Sequence, residues 1–315
     1  MMFSFDKEAV LRHFNWELGL RLSRAAFRLQ SLNQVDQPLR NIISGSNGLM
    51  GTMPINITEG EYAGFGVKSV VVRFDVTGKK PSHFGCVLVY DEKGTSGIAA
   101  VDAAAITEIR TASASAYATS LLAPESASRL AIIGTGVQAR AHLEAMLHVR
   151  PITDVSIWGR SAQHCATFAA WCEERFDVAV SVKQSPGEAM KCSDIICTTT
   201  AARAAFMRRE DLPATCHINA VGASAPGFQE FDEGVYDHTR LFTDSNHAVL
   251  ASAQCVINAV KRGFLPAADV GVEIGSVAQE NGACGDDITI FRSVGLAVQD
   301  MVFARELVRR VIASV

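Results

Sequence analysis

The sequence has no Cys-x-x-Cys pair and no Cys/His cluster at zinc-finger spacing, although it carries 8 cysteines, at 86, 165, 172, 192, 197, 216, 255 and 284. Most lie in apolar runs such as 194–200 and 216–222, where a reduced thiol serves as a small hydrophobe, and neither a metal site nor a disulfide framework is expected. Basic charge is not in excess: 29 Lys and Arg against 33 Asp and Glu give a formal net charge of -4, which speaks against nucleic acid as a partner. No apolar run approaches the roughly 20 residues of a membrane span. The N-terminus carries acids where a secretion signal has a basic region, so a cytoplasmic location is expected. There is no Gly-x-Ser-x-Gly elbow and no P-loop lysine motif. The eight histidines form no triad. His142 and His148 fall on one helix and His83 in a turn, all with structural or surface roles, and Asp286-Asp287 reads as a loop.

What is present is a core-forming chain: 315 residues, 48% hydrophobic and 20% charged, enough for two domains. The first 30 residues have helical spacing, with Leu11, Phe14, Leu18, Leu22 and Ala25 in register. A loop is expected around Gly45, Gly48 and Gly51 with Met53-Pro54. Strand-like runs follow at 66–74, 86–90 and 97–102, with a turn at 75–80, then an Ala- and Ser-rich helix at 107–122. From Arg129 short β-rich runs (129–134, 154–159, 178–183, 194–200, 216–222, 240–245) alternate with helical stretches such as 137–149. That alternation predicts an α/β fold, a Rossmann-type doubly wound parallel sheet, beside a smaller α+β domain. The expected division is 1–122, completed by a C-terminal helix at 295–315, and 123–294.

Gly134-Thr-Gly136-Val137-Gln138-Ala139 is a G-x-G-x-x-A turn that follows an apolar run and opens a helix, the context that makes it a dinucleotide fingerprint. Gly134 permits the tight turn, Gly136 the approach of a pyrophosphate, and Ala139 close helix packing. The next strand ends in Gly159-Arg160-Ser161, where an NAD site usually has an acid. A guanidinium and a hydroxyl suit a 2′-phosphate, so NADP(H) is favoured over NAD(H), unless Arg160 is simply a solvated loop residue. Lys68 shares an apolar strand face with Val70 and Val72. It either snorkels at a strand end or is a desolvated lysine suited to proton transfer. Arg40 and Arg110 singly suit salt bridges. Together they can hold a carboxylate.

In order, Gly51-Thr-Met53-Pro54, Lys68, Thr107-Glu-Ile-Arg110-Thr-Ala112, the Gly134 turn, Val221-Gly-Ala-Ser224-Ala-Pro226-Gly-Phe-Gln-Glu230 and Ile288-Thr-Ile-Phe291-Arg-Ser293-Val-Gly295 resemble the ornithine cyclodeaminase/mu-crystallin family. The resemblance runs from about residue 40 to the end. It implies a substrate and dimerisation domain beside an NAD(P)(H)-binding domain, a homodimer, and a cyclic imino acid or amino acid as substrate. It implies Arg40 and Arg110 as the grip on the substrate carboxylate, Lys68 as the active-site lysine, and Gly134, Gly136, Val137 and Gln138 as pyrophosphate contacts. Arg160 and Ser161 take the 2′-phosphate end, and Thr198 and Thr200 line the cofactor. Ser224 is a candidate catalytic position where ornithine cyclodeaminases carry an Asp. A hydroxyl cannot take the role of a carboxylate base or charge partner. The expected activity is therefore reduction of Δ1-pyrroline-2-carboxylate or Δ1-piperideine-2-carboxylate, ahead of cyclodeamination or amino-acid dehydrogenation. A protein that stores cofactor without turnover is the remaining alternative.

Overall fold

The computed structural model describes residues 2–73, 83–90, 97–277 and 287–313. The turn expected at 75–80, Cys284 and Asp286 lie outside them. Contacts divide the chain into Met1–Arg110 with Leu296–Val315, and Thr111–Gly295.

The first unit opens with β1 (Met2–Phe5), α1 (Lys7–Arg12) and α2 (Trp16–Ser31). One helix was expected over this stretch. Two form because Asp6 and Asn15 each cap a new N-terminus, accepting from Ala9 N–H and Leu18 N–H. Then come β2 (Val35–Asp36), β3 (Asn41–Gly45), β4 (Gly48–Ile57), β5 (Gly64–Arg73), β6 (His83–Tyr90) and β7 (Ile98–Asp102). The glycine-rich stretch expected as a loop is instead the β3–β4 hairpin, with a two-residue turn between Gly45 and Gly48. Gly48 lies in a strand because the neighbouring Val72 carbonyl leaves no room for a Cβ. Pro54 sits where the outer edge of β4 passes from β3 to β2 with no partner among the described residues. His83, expected in a turn, opens β6. The sheet order is β1-β7-β6-β5-β4-β2, with β3 also on β4.

Helix α3 (Ala103–Leu122) begins in this unit and continues into the second, so the division falls inside it rather than at its end. The second unit runs β8 (Arg129–Ile133), α4 (Val137–Val149), β9 (Asp154–Trp158), α5 (Ala162–Arg175), β10 (Ala179–Val182), α6 (Pro186–Met190), β11 (Ile195–Thr198), β12 (Cys216–Ala220), β13 (Thr239–Thr243), α7 (Asn246–Ser252), α8 (Gln254–Lys261), β14 (Val272–Glu273) and β15 (Ile288–Arg292). These form an eight-stranded parallel sheet, β10-β9-β8-β11-β12-β15-β13-β14. The strands are near-continuous apolar runs because helices cover such a sheet on both faces, and the Rossmann-type α/β fold is the one expected. Strand order reverses between β8 and β11, the switch point at whose carboxyl end open α/β sheets bind ligands. Finally α9 (Ala297–Ala313) returns to the first unit and packs with α2 across β4 to β7. Among the described residues no helix is long and apolar enough to cross a membrane.

Two histidines in the second unit are buried. His142 Nδ1 donates to the Gln138 carbonyl at 2.7 Å, and its Nε2 accepts from Ser115 Oγ at 2.9 Å. His217 Nε2 donates to Asn219 Oδ1 at 3.3 Å, and its Nδ1 accepts from Thr289 Oγ1 at 2.9 Å. Burial lowers their pKa values to about 4 and about 3. Below about pH 6.5 the unfolded chain takes up protons that the folded chain refuses, so these residues cost stability as pH falls. The thermal midpoint should drop as pH goes from 7 toward 4, with a shallower drop in His142→Gln. Parallel curves would remove His142 from this account.

Candidate active site

In β5, Gly64, Gly66 and Lys68 point to the face covered by α9. A Cβ on Gly66 would overlap Met301 and the Leu88 carbonyl, so the glycine is what lets α9 lie close. That approach places Asp300, in the first turn of α9, against Lys68. Lys68 Nζ donates to Asp300 Oδ1 at 2.8 Å and to Thr107 Oγ1 at 2.6 Å. Arg110 Nε donates to the same Asp300 oxygen at 3.1 Å. Thr107 and Arg110 share one face of α3 at i, i+3 spacing. The side chains of Lys68, Arg110 and Asp300 are 6%, 8% and 1% exposed. Asp300 Oδ2 is buried with no hydrogen-bond partner among the described residues. Arg40 lies nearby, its Cδ packed over Gly51 in β4.

Burial pulls the Lys68 pKa down to about 8. Asp300 opposes that pull, while the positive charges of Arg110 and Arg40 add to it. The first unit thus brings Lys68, Arg40 and Arg110 together, and it adds Asp300, which sequence reasoning missed. The available signal was an acid in the apolar stripe Ala297, Ala304, Leu307.

In the second unit Gly134 ends β8 with φ +118°, a left-handed conformation, and a Cβ there would meet Thr199 Oγ1 at 2.6 Å. Gly136 is the N-cap of α4, with no side-chain cap, no acid in the first turn and open space where its Cβ would be. Val137 is 58% exposed and Gln138 half-buried in that turn. An uncapped helix start, approachable at Gly136 and free of acids, fits the pyrophosphate of a dinucleotide. At the end of β9, Arg160 is exposed, and Ser161 caps α5 by accepting from His164 N–H at 3.3 Å. The first turn of α5 also has no acid.

Thr198 and Thr200 lie at the end of β11, beside Gly134. Thr198 is wholly buried, and both hydroxyls donate to Glu230. The Thr198 side chain therefore faces the interior rather than a ligand, because Glu230 needs its hydroxyl. Ser224 is half-buried in the loop after β12, its N–H bonded to the Gly222 carbonyl at 3.2 Å. No group of three or more His, Cys, Asp or Glu able to hold a metal occurs among the described residues.

A parallel sheet with a glycine turn at its switch point, joined in one chain to a sheet with a buried lysine, defines a two-unit α/β protein with a Rossmann-type sheet. The chain belongs to the ornithine cyclodeaminase/mu-crystallin family, whose model matches residues 6–314. It is 32% identical over 290 residues to the ketimine reductase mu-crystallin of Macropus fuliginosus, covering 91% of this chain and 89% of the relative. Δ1-Pyrroline-2-carboxylate reductase of Thermococcus litoralis, solved with NADH and L-proline, superposes with a TM-score of 0.92 at 26% identity, over 99% of this chain and 98% of that one. An archaeal alanine dehydrogenase, a dimer with bound NAD, superposes with a TM-score of 0.90 at 27% identity, over 99% and 97%.

Replacing Asp300 by Asn removes the charge that holds the Lys68 ammonium. The Lys68 pKa should then fall below about 8, by roughly one to three units. The Hε/Cε resonances of isotopically labelled lysine report the titration. An unmoved midpoint would separate Asp300 from the state of Lys68.

Proposed function

We propose that this protein is an NAD(P)H-dependent reductase of a cyclic ketimine carboxylate, converting Δ1-pyrroline-2-carboxylate or Δ1-piperideine-2-carboxylate to L-proline or L-pipecolate. The observation that carries this reading is the buried Lys68–Asp300–Arg110 cluster with Arg40 beside it. The ketimine reductase and the proline-bound reductase among its relatives support it.

The chain's own residues divide the work as follows. Arg110 is held by its Nε, which leaves the terminal nitrogens of its fork to take a carboxylate bidentately, with Arg40 as the second grip. With a pKa of about 8, Lys68 is protonated at neutral pH yet acidic enough to give up a proton. Placed at the imine nitrogen it keeps the C=N protonated, which makes the ring carbon far more electrophilic. Thr107 and Asp300 fix the direction of Nζ. The nicotinamide, when bound, supplies the hydride to that carbon. Gly134, Gly136, Val137 and Gln138 would hold its pyrophosphate. Arg160 and Ser161, before a helix turn without acids, favour NADP(H) over NAD(H). Ser224 brings no carboxylate, which disfavours a diamino acid as substrate.

A homodimer is part of this reading. α9, with α2 packed against it, covers one face of the first sheet. On the other, Ile43, Met50, Val71 and Phe84 stand in one row across β3 to β6. Ile43 is 63%, Phe84 42% and Phe65, six residues before Val71 on the same side of β5, 56% exposed. An apolar sheet face of this kind marks an interface, and a second copy of the chain is the occupant that the dimeric relative favours.

The test is NADPH oxidation with each imine, with NADH and L-ornithine in parallel. Imine-dependent oxidation, faster with NADPH, is expected. Ammonia release from ornithine without a change in absorbance would overturn the reading in favour of cyclodeamination. Lys68→Ala should lower kcat at least about a hundredfold, the usual weight of a general acid, with NADPH binding retained. Wild-type turnover would remove Lys68 from the reaction. For assembly, sedimentation should give a dimer that Ile43→Lys with Phe84→Asp converts to a monomer. A wild-type monomer would overturn that part.

A further inference from the structure

Glu230 is 0% exposed. Its Oε1 accepts from Thr200 N–H at 2.9 Å and Thr200 Oγ1 at 2.7 Å. Its Oε2 accepts from Thr198 Oγ1 at 2.9 Å and Ala223 N–H at 3.3 Å. Four donors fill the roughly four acceptor positions of a carboxylate. Among the described residues none of the ion pairs involves Glu230. Its own backbone is pinned as well, the carbonyl accepting from Phe206 and Met207 N–H, each at 3.0 Å.

These donors come from two loops. Thr198 and Thr200 lead the chain out of β11, beside Gly134 at the switch point. Ala223 stands directly before Ser224, after β12. The Ala223 carbonyl is in turn held by Arg292 Nη2, from the end of β15, so both polar groups of that peptide position are fixed by buried side chains. Gly222 closes the gap, since a Cβ there would overlap Glu230 Oε1 and the Thr200 backbone.

We propose that Glu230 is a positioning residue: it locks the Thr198–Thr200 loop and the Ala223–Ser224 loop into one unit, so that the cofactor-side wall and Ser224 are set together. This rests on the reductase reading for its consequences in turnover. Glu230 itself is sealed from any ligand, and so is Thr198, which makes Thr198 the clean probe. A change there reaches the reaction only through Glu230.

In Thr198→Val the carboxylate loses one donor at constant volume. NADPH dissociation constant and kcat should each worsen by about tenfold, the weight of one hydrogen bond to a charged group, with KM for the imine shifting less and Thr198→Ser restoring both. In Glu230→Gln, whose NH2 opposes donors, the loss should be larger, and Thr198→Val should add nothing to it. Wild-type constants in Thr198→Val, or losses in the two variants that multiply, would overturn the proposal. A lower melting temperature with unchanged constants would overturn it too. Amide exchange at Thr200 and Ala223, measured without cofactor, reads the lock independently: faster exchange in Thr198→Val and Glu230→Gln is expected, and unchanged exchange would sink it. If the wild type neither bound nicotinamide nor reduced an imine, the reductase reading would fail and amide exchange alone would decide on the lock.

Discussion

One carboxylate oxygen, Asp300 Oδ1, allows two cations to sit inside the first unit. Lys68 occupies an interior strand position on the covered face of its sheet, and Arg110 lies on the adjoining helix. Burying either alone would leave an uncompensated charge in a medium that solvates it poorly, at a cost of about 3–5 kcal/mol once the partner is gone. Gly66 in β5 and the close approach of Met301 in α9 are arranged around this pairing: the strand gives up a side chain so that the helix can bring its acid within reach. Neutralisation by Asp300 is incomplete, since it offers one negative charge against Lys68 and Arg110. On the proposed reading, the substrate carboxylate meets that surplus.

Glu230 solves the same problem in the second unit without a cation. Its charge is spread over two hydroxyls and two backbone amides. The two arrangements differ in what they control. Asp300, paired with cations, sets the proton affinity of a neighbour. Glu230, surrounded by donors from two chain segments, sets geometry. Hydrogen bonds of that kind have narrow distance and angle requirements, so a carboxylate with every acceptor position used leaves its donors little freedom.

Legibility in the sequence follows the range of the interactions. The parallel sheet was readable because short β-rich runs alternate with helical stretches along the chain, and the Gly134 turn because strand, glycines and helix are contiguous. α4 begins and ends where its spacing predicts. In the first unit, Gly45, Gly48 and Gly51 signal turns and close backbone approach equally well, and which meaning applies depends on Val72 and Arg40, distant in the chain. The break between α1 and α2 was written locally, in Asp6 and Asn15 as caps, but the helical spacing across it masked the signal. β1 is set only by its parallel pairing to β7, almost a hundred residues away in the chain. Of the candidate site residues, Lys68 stood out as a charge on an apolar strand. Asp300 did not, because its reason for being buried lies on β5 and α3.

Substrate choice, on the proposed reading, comes down to counting charges. A diamino acid brings a second ammonium that needs an anion of its own. In the first unit the single negative charge of Asp300 already serves two cations, Lys68 and Arg110. Ser224 contributes a neutral hydroxyl. A cyclic imine carboxylate asks for less: a positive surface for its carboxylate and one proton at nitrogen. Lys68, with its pKa lowered by burial and by the arginines, can hold that proton at neutral pH and release it. The arginines that add to burial in making the lysine acidic would, on this reading, also draw the anionic substrate, so binding and proton donation share one electrostatic contribution.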